Sequence, residues 1–199
     1  MVVDASKEDL LIGVCGAGAM GRGIVQVASM GGVRVKVFDI NNEQLEEALK
    51  FIDNMLGRAV EKGRMEEKAR QDAVSRIELV GAISDLSDCE IVIEAATENL
   101  EIKKKIFAEL EDVVSDSAII ATNTSSLSVT TIASACKRPE RIAGFHFFNP
   151  VPLMKLVEVI DGVLTEPYVG DQLMVLGSRM TREPVRLKDA PGFLVNQVG

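Results

Sequence analysis

Six residues, Gly16-Ala17-Gly18-Ala19-Met20-Gly21, read as GxGxxG between an apolar run and a helical pattern. In such a loop the first glycine permits a tight turn and the second lets the backbone approach a pyrophosphate. The third allows close packing of helix on strand, and the helix N-terminus presents amides and positive potential to phosphate oxygens. A second apolar run ends in Asp39. A carboxylate there accepts hydrogen bonds from both ribose hydroxyls of an adenosine and repels a 2′-phosphate. The competing readings are a loop shaped for packing alone and an Asp that caps the helix after it. Strand, loop, helix and second strand in this order are the context a dinucleotide site requires, with NAD favoured over NADP.

His146, the one histidine in the sequence, lies in the apolar stretch GFHFFNP, which runs into Asn149-Pro150. Ligands of open α/β sheets bind beyond the carboxyl ends of strands, and imidazole is the usual group for exchanging a proton near neutral pH. A packed core histidine is the alternative. Glu158 sits inside KLVEVI. A carboxylate within a strand is costly unless paired, and a partner imidazole would relieve that cost while the carboxylate holds the ring's tautomer. An edge-strand charge facing water fits Glu158 equally well. Asn123-Thr124-Ser125-Ser126 follows another apolar run; its amide and hydroxyls suit contacts to a cofactor or substrate, or a helix N-cap. Lys103-Lys104-Lys105 and the group Arg58, Lys62 and Arg64 read mostly as solvated helix faces, with one or two available to an anionic ligand.

These side chains need a scaffold of alternating strands and helices. Apolar and β-branched runs predict strands over 10–15, 33–39, 77–80, 90–95, 118–122, 142–148, 155–160 and 185–187. Periodicity predicts helices over 19–30, from Asn41 or Asn42 to about 62, then 66–75, 103–114, 130–136 and roughly 170–180. The fold class is α/β: a Rossmann-type, doubly wound, mostly parallel sheet with helices on both faces. Pro191-Gly192 reads as a boundary. Residues 1–190 form the expected dinucleotide-binding domain, and 191–199 the start of a further, truncated one.

Composition narrows the partners. The chain has 199 residues, 47% hydrophobic and 26% charged, with 22 Lys plus Arg against 30 Asp plus Glu and a net charge of −8. That is a globular composition, too acidic for a general binder of nucleic acid or anionic membrane. Cys15, Cys89 and Cys136 show no metal-like or CxxC spacing, and the polar start MVVDASKEDL is unlike a signal peptide. No apolar run reaches membrane-spanning length. A reducing, cytoplasmic setting is the expectation.

VCGAGAMGRGI, Asp39, VIEAATENLEIKKKIF, ATNTSSLSVT, FHFFNPVPLMKLVEVI and DAPGFLVNQ together closely resemble the L-3-hydroxyacyl-CoA dehydrogenase family, from Leu10 onward and in family order. The resemblance implies oxidation of an (S)-3-hydroxyacyl-CoA to the 3-ketoacyl-CoA, with hydride passing to NAD. It implies His146 as general base with Glu158 as its orienting partner, and Ser125, Asn149 and Asn196 on the substrate. Gly16, Gly18, Met20, Gly21 and Asp39 would hold the adenosine and pyrophosphate half of NAD. Glu98, Lys103, Asn123 and Ser125 would meet its nicotinamide side. Lys62 matches a lysine that reaches the CoA phosphates, whereas Met55 stands where some relatives have a CoA-contacting serine. In the family a helical domain follows, which dimerises and closes over the substrate. Two other readings are a dehydrogenase of a free hydroxy acid or sugar acid, and a nucleotide-binding module without activity in isolation.

Overall fold

The apolar runs 11–15, 91–94, 119–122 and 142–147 are buried at every residue, so the sheet they form must be covered on both faces. In the computed structural model, which describes residues 2–190, eight strands form one sheet among the described residues. They are β1 (Leu11–Cys15), β2 (Arg34–Phe38), β3 (Ile77–Val80), β4 (Ile91–Glu94), β5 (Ile119–Thr122), β6 (Ile142–Phe147), β7 (Leu156–Asp161) and β8 (Glu183–Lys188). Their spatial order is β3-β2-β1-β4-β5-β6-β7-β8. Neighbours are parallel except β6 and β7, which are antiparallel. The order reverses between β1 and β4, which opens a crevice at their carboxyl ends.

The helices are α1 (Ala19–Met30), α2 (Asn42–Glu61), α3 (Glu67–Ser75), α4 (Leu100–Val113), α5 (Val129–Ala133) and α6 (Pro167–Arg179). Period-two alternation divides the core: Ile12 and Val14 of β1 pack with Ile24, Ile52 and Leu173 of α1, α2 and α6. Leu11 points to the other face, among Phe107 and Leu110 of α4 and Ile132 of α5. Helices therefore cover both faces. Among the described residues no helix is long and apolar enough to cross a membrane. Cys15, Cys89 and Cys136 are free thiols, and burial pushes each up to about 12.

Several element ends differ from the sequence reading, each through a local cap. α4 starts at Leu100 rather than 103, because the Asn99 side chain accepts from the Ile102 amide. That places Lys103 in the first turn. α5 starts and ends earlier than expected, with Ser128 as its cap, and α6 starts at Pro167, a residue suited to a first helical turn. Expectations on 191–199, Asn196 among them, lie outside the described residues.

The connection from β6 to β7 follows His146 directly and is held from two sides. Arg182 donates through Nη1 to the carbonyls of Val151 (2.9 Å) and Met154 (2.8 Å). On α1, a Cβ at Gly23 would lie 2.7 Å from the Val151 side chain, so the missing methyl makes room for this loop. Replacing Arg182→Met is expected to cost about 2 kcal/mol, the worth of hydrogen bonds from a charged donor. An unchanged urea midpoint would show that the clamp adds nothing.

Candidate active site

The glycine loop has a different reason for each glycine. Gly16 adopts φ +110°, and a Cβ there would lie 2.6 Å from the Ala95 carbonyl oxygen on β4's exit. At Gly21 a Cβ would fall 1.8 Å from the Gly16 carbonyl oxygen. Packing alone therefore demands both. Gly18 is unlike them: its φ is −67°, and a Cβ would meet only the Gln44 amide nitrogen at 3.7 Å. It is the N-cap of α1, it supplies no side-chain cap, and no acidic residue occupies the first turn. Open space beside amides lacking a side-chain cap suits the close approach of a pyrophosphate.

Asp39 faces this loop. Its Oδ2 accepts from the Ala17 amide at 2.8 Å, and its Oδ1 accepts from the Asn41 amide at 2.9 Å. Capping of α2 falls to the Asn41 side chain, which accepts from the Glu43 and Gln44 amides. The carboxylate at the tip of β2 is thus fixed beside the phosphate loop, where a ribose would reach it.

Next to the loop lies a cleft of about 420 Å³, lined by Met20, Ala95, Ala96, Phe147, Phe148 and Asn149. Glu98, Asn123, Ser125 and His146 complete its wall. His146 and Glu158 are directly opposite in the β6–β7 register. Imidazole Nδ1 meets Glu158 Oε2 at 2.8 Å; the Glu158 side chain is 0% exposed and that of His146 8%. β7 lies between β6 and β8, so the edge-strand reading of Glu158 does not hold. A carboxylate on Nδ1 orients the imidazole ring.

The segment 123–126 is not the cap of α5, since Ser128 takes that role. Instead it gathers on Glu98, whose Oε1 accepts from the Thr124 hydroxyl, from the Ser125 amide (2.9 Å) and hydroxyl (3.2 Å), and from Ser126. Partial burial works to raise the Glu98 pKa. The bonds from Thr124 and Ser125, with the charge of Lys103, outweigh it and hold the carboxyl below its ordinary value. Asn123 Oδ1 accepts from the Phe147 amide at 2.8 Å, tying this loop to the strand of His146.

Lys103 is 1% exposed, with its ammonium 2.7 Å from Glu94 Oε1. Lys62 caps the far end of α2, exposed, and Met55 is 36% exposed on the same helix; neither lines the cleft. Glu94 and Thr122 were not singled out by the sequence reading. The rule applied to Glu158, that a carboxylate inside an apolar strand needs a partner, would have flagged Glu94.

A crevice at the sheet's reversal, a glycine loop with one spare position and a strand-end carboxylate define a dinucleotide-binding domain of Rossmann type. The family described as "3-hydroxyacyl-CoA dehydrogenase, NAD binding domain" matches residues 11–190, and the chain belongs to it. The cofactor is NAD. The chain is 43% identical over 187 residues to 3-hydroxyadipyl-CoA dehydrogenase of Escherichia coli, covering 94% of this chain and 39% of that protein. It is 39% identical to 3-hydroxybutyryl-CoA dehydrogenase of Clostridioides difficile, covering 94% and 66%. The crystal structure of 3-hydroxybutyryl-CoA dehydrogenase from Escherichia coli superposes with a TM-score of 0.94 at 42% identity, covering 96% and 41%. The chain thus spans about two fifths to two thirds of the length of these relatives.

Two outcomes are expected. Gly18→Ala should keep the melting temperature yet weaken NADH binding, whereas Gly21→Ala should lower the melting temperature itself; equal thermal effects would sink the distinction between the two glycines. Glu98, with its pKa lowered by folding, stabilises the protein above the unfolded value of about 4.3 and loses that contribution as pH falls below it. In Glu98→Gln the unfolding free energy should therefore decline less steeply through that acid range. Parallel curves in urea titrations would contradict this.

Proposed function

We propose that this chain is the cofactor-binding part of an NAD-dependent (S)-3-hydroxyacyl-CoA dehydrogenase. The observation that supports it is the buried His146–Glu158 pair at the wall of a cleft that adjoins the glycine loop. When bound, NAD would supply the hydride acceptor for C3 of the substrate. His146 Nε2 takes the proton of the 3-hydroxyl, and Glu158 balances the imidazolium that forms and keeps Nδ1 protonated. Ser125 and Asn149, both exposed at the cleft, hold the substrate's oxygens, with Asn196 as a further partner. Asp39, Gly16, Gly18, Met20 and Gly21 hold the adenosine and pyrophosphate; Glu98, Lys103, Asn123 and Ser125 serve the nicotinamide side.

The domain reading belongs with this. Residues 1–190 are the NAD-binding domain, and in the whole protein a helical domain closes over the acyl chain and forms a homodimer. Lys62, at the C-terminal cap of α2, reaches the CoA phosphates. The setting is cytoplasmic.

The test is NADH consumption with acetoacetyl-CoA and with free acetoacetate, by this chain and by its full-length gene product. Turnover of the CoA ester by the full-length form is expected. His146→Ala should lower kcat by about 10²–10⁴, the usual worth of a general base, with NADH affinity nearly intact. Reduction of acetoacetate alone would replace the acyl-CoA reading with that of a free-acid dehydrogenase.

A further inference from the structure

Glu94 is a second buried carboxylate, and the chemistry above gives it no task. It ends β4 with 0% exposure. Its Oε1 accepts from Lys103 Nζ and from the Ala96 amide, both at 2.7 Å, and its Oε2 accepts from the Thr122 hydroxyl at 2.8 Å. Thr122 Oγ1 in turn accepts from the Thr124 amide at 3.2 Å, and the Asn123 amide donates to the Glu94 carbonyl at 2.8 Å. Lys103 Nζ donates to the Ala96 carbonyl at 3.3 Å and lies 3.6 Å from Glu98 Oε2.

These contacts form a closed circuit. Both loops that wall the nicotinamide side of the cleft, the one after β4 and the one after β5, start on Glu94. They meet again at Glu98, which collects Thr124, Ser125 and Ser126. Well-packed apolar side chains would fill the same space without taking two charges out of water. What short, charge-assisted bonds supply instead is direction.

We propose that Glu94 and Lys103 are positioning residues for the reaction. Their buried ion pair holds the two loops in one register, so that Glu98, Asn123 and Ser125 meet cofactor and substrate at a fixed distance from His146. This rests on the dehydrogenase reading. It gives Lys103 a role through Glu94, Ala96 and Glu98, beside the direct cofactor contact that the family resemblance implies.

Thr122 allows a test that keeps both charges. Thr122→Val removes the hydroxyl on Glu94 Oε2 at nearly constant volume, and Thr122→Ser restores the hydroxyl without the methyl. In the full-length protein, Thr122→Val should bind NADH with little change in Kd but lose kcat by about tenfold to a hundredfold, the scale of an ångström's misplacement. Thr122→Ser should return kcat to near the unmodified value. The double replacement Glu94→Gln with Lys103→Met, which strands no buried charge, should lose kcat at least as much, with a weaker NADH Kd where Lys103 also touches the cofactor; if it does not fold, the two Thr122 variants decide. Unmodified kcat in Thr122→Val, or equal losses in both Thr122 variants, would overturn the proposal. Should the unmodified protein itself show no turnover, the dehydrogenase reading fails alone. The emission of protein-bound NADH then decides positioning: a changed nicotinamide emission in Thr122→Val, restored in Thr122→Ser, supports it, and identical spectra overturn it.

Discussion

Glu158 lies inside the sheet, and a carboxylate in that position needs a partner within bonding distance or it must give up its charge. The reversal of β7 answers this need. An antiparallel neighbour sets residues directly opposite each other on one face, and the register places His146 there. The same reversal brings the chain back through a short connection, clamped by Arg182 and seated against Gly23 of α1. The position of the imidazole is thereby coupled to α1, the helix whose N-terminus is the proposed phosphate site.

Charge elsewhere follows a related logic. A chain of net charge −8 must hold an anionic dinucleotide, and the site proposed for it lies where side-chain charge is lacking. The first turn of α1 carries no acid, and Gly18 exposes backbone amides. The acidic groups near the cleft are each tied down: Asp39 by two amides, Glu94 by Lys103, Glu98 by the loop that contains Ser125. Local backbone geometry, and not overall charge, sets the potential that a phosphate meets.

Much of this was legible in the residues because the fold obeys simple periodicities. Continuous apolar runs marked the buried strands, and GxGxxG marked the βαβ turn, since steric demand at Gly16 and Gly21 admits nothing larger. His146 and Glu158 were visible as types out of place in apolar strands. Their pairing came from the family resemblance and not from periodicity, because cross-strand register depends on which strand reverses. Glu94 was open to the same rule, since it lies within the apolar run 90–95 as Glu158 lies within its own. Lys103 looked like one of three solvated lysines; the Asn99 cap sets where α4 begins and turns that one inward.

Asp39 has a further consequence for anyone wishing to change the cofactor. Beside the ribose contact proposed for it, its carboxylate accepts from the Ala17 amide inside the glycine loop. Replacing it with a smaller or basic residue to admit a 2′-phosphate would also remove the acceptor that braces the loop and the Asn41 turn. Altered preference and a slackened diphosphate grip would arrive together. A successful redesign has to supply a new acceptor for those two amides before it adds a group for the phosphate.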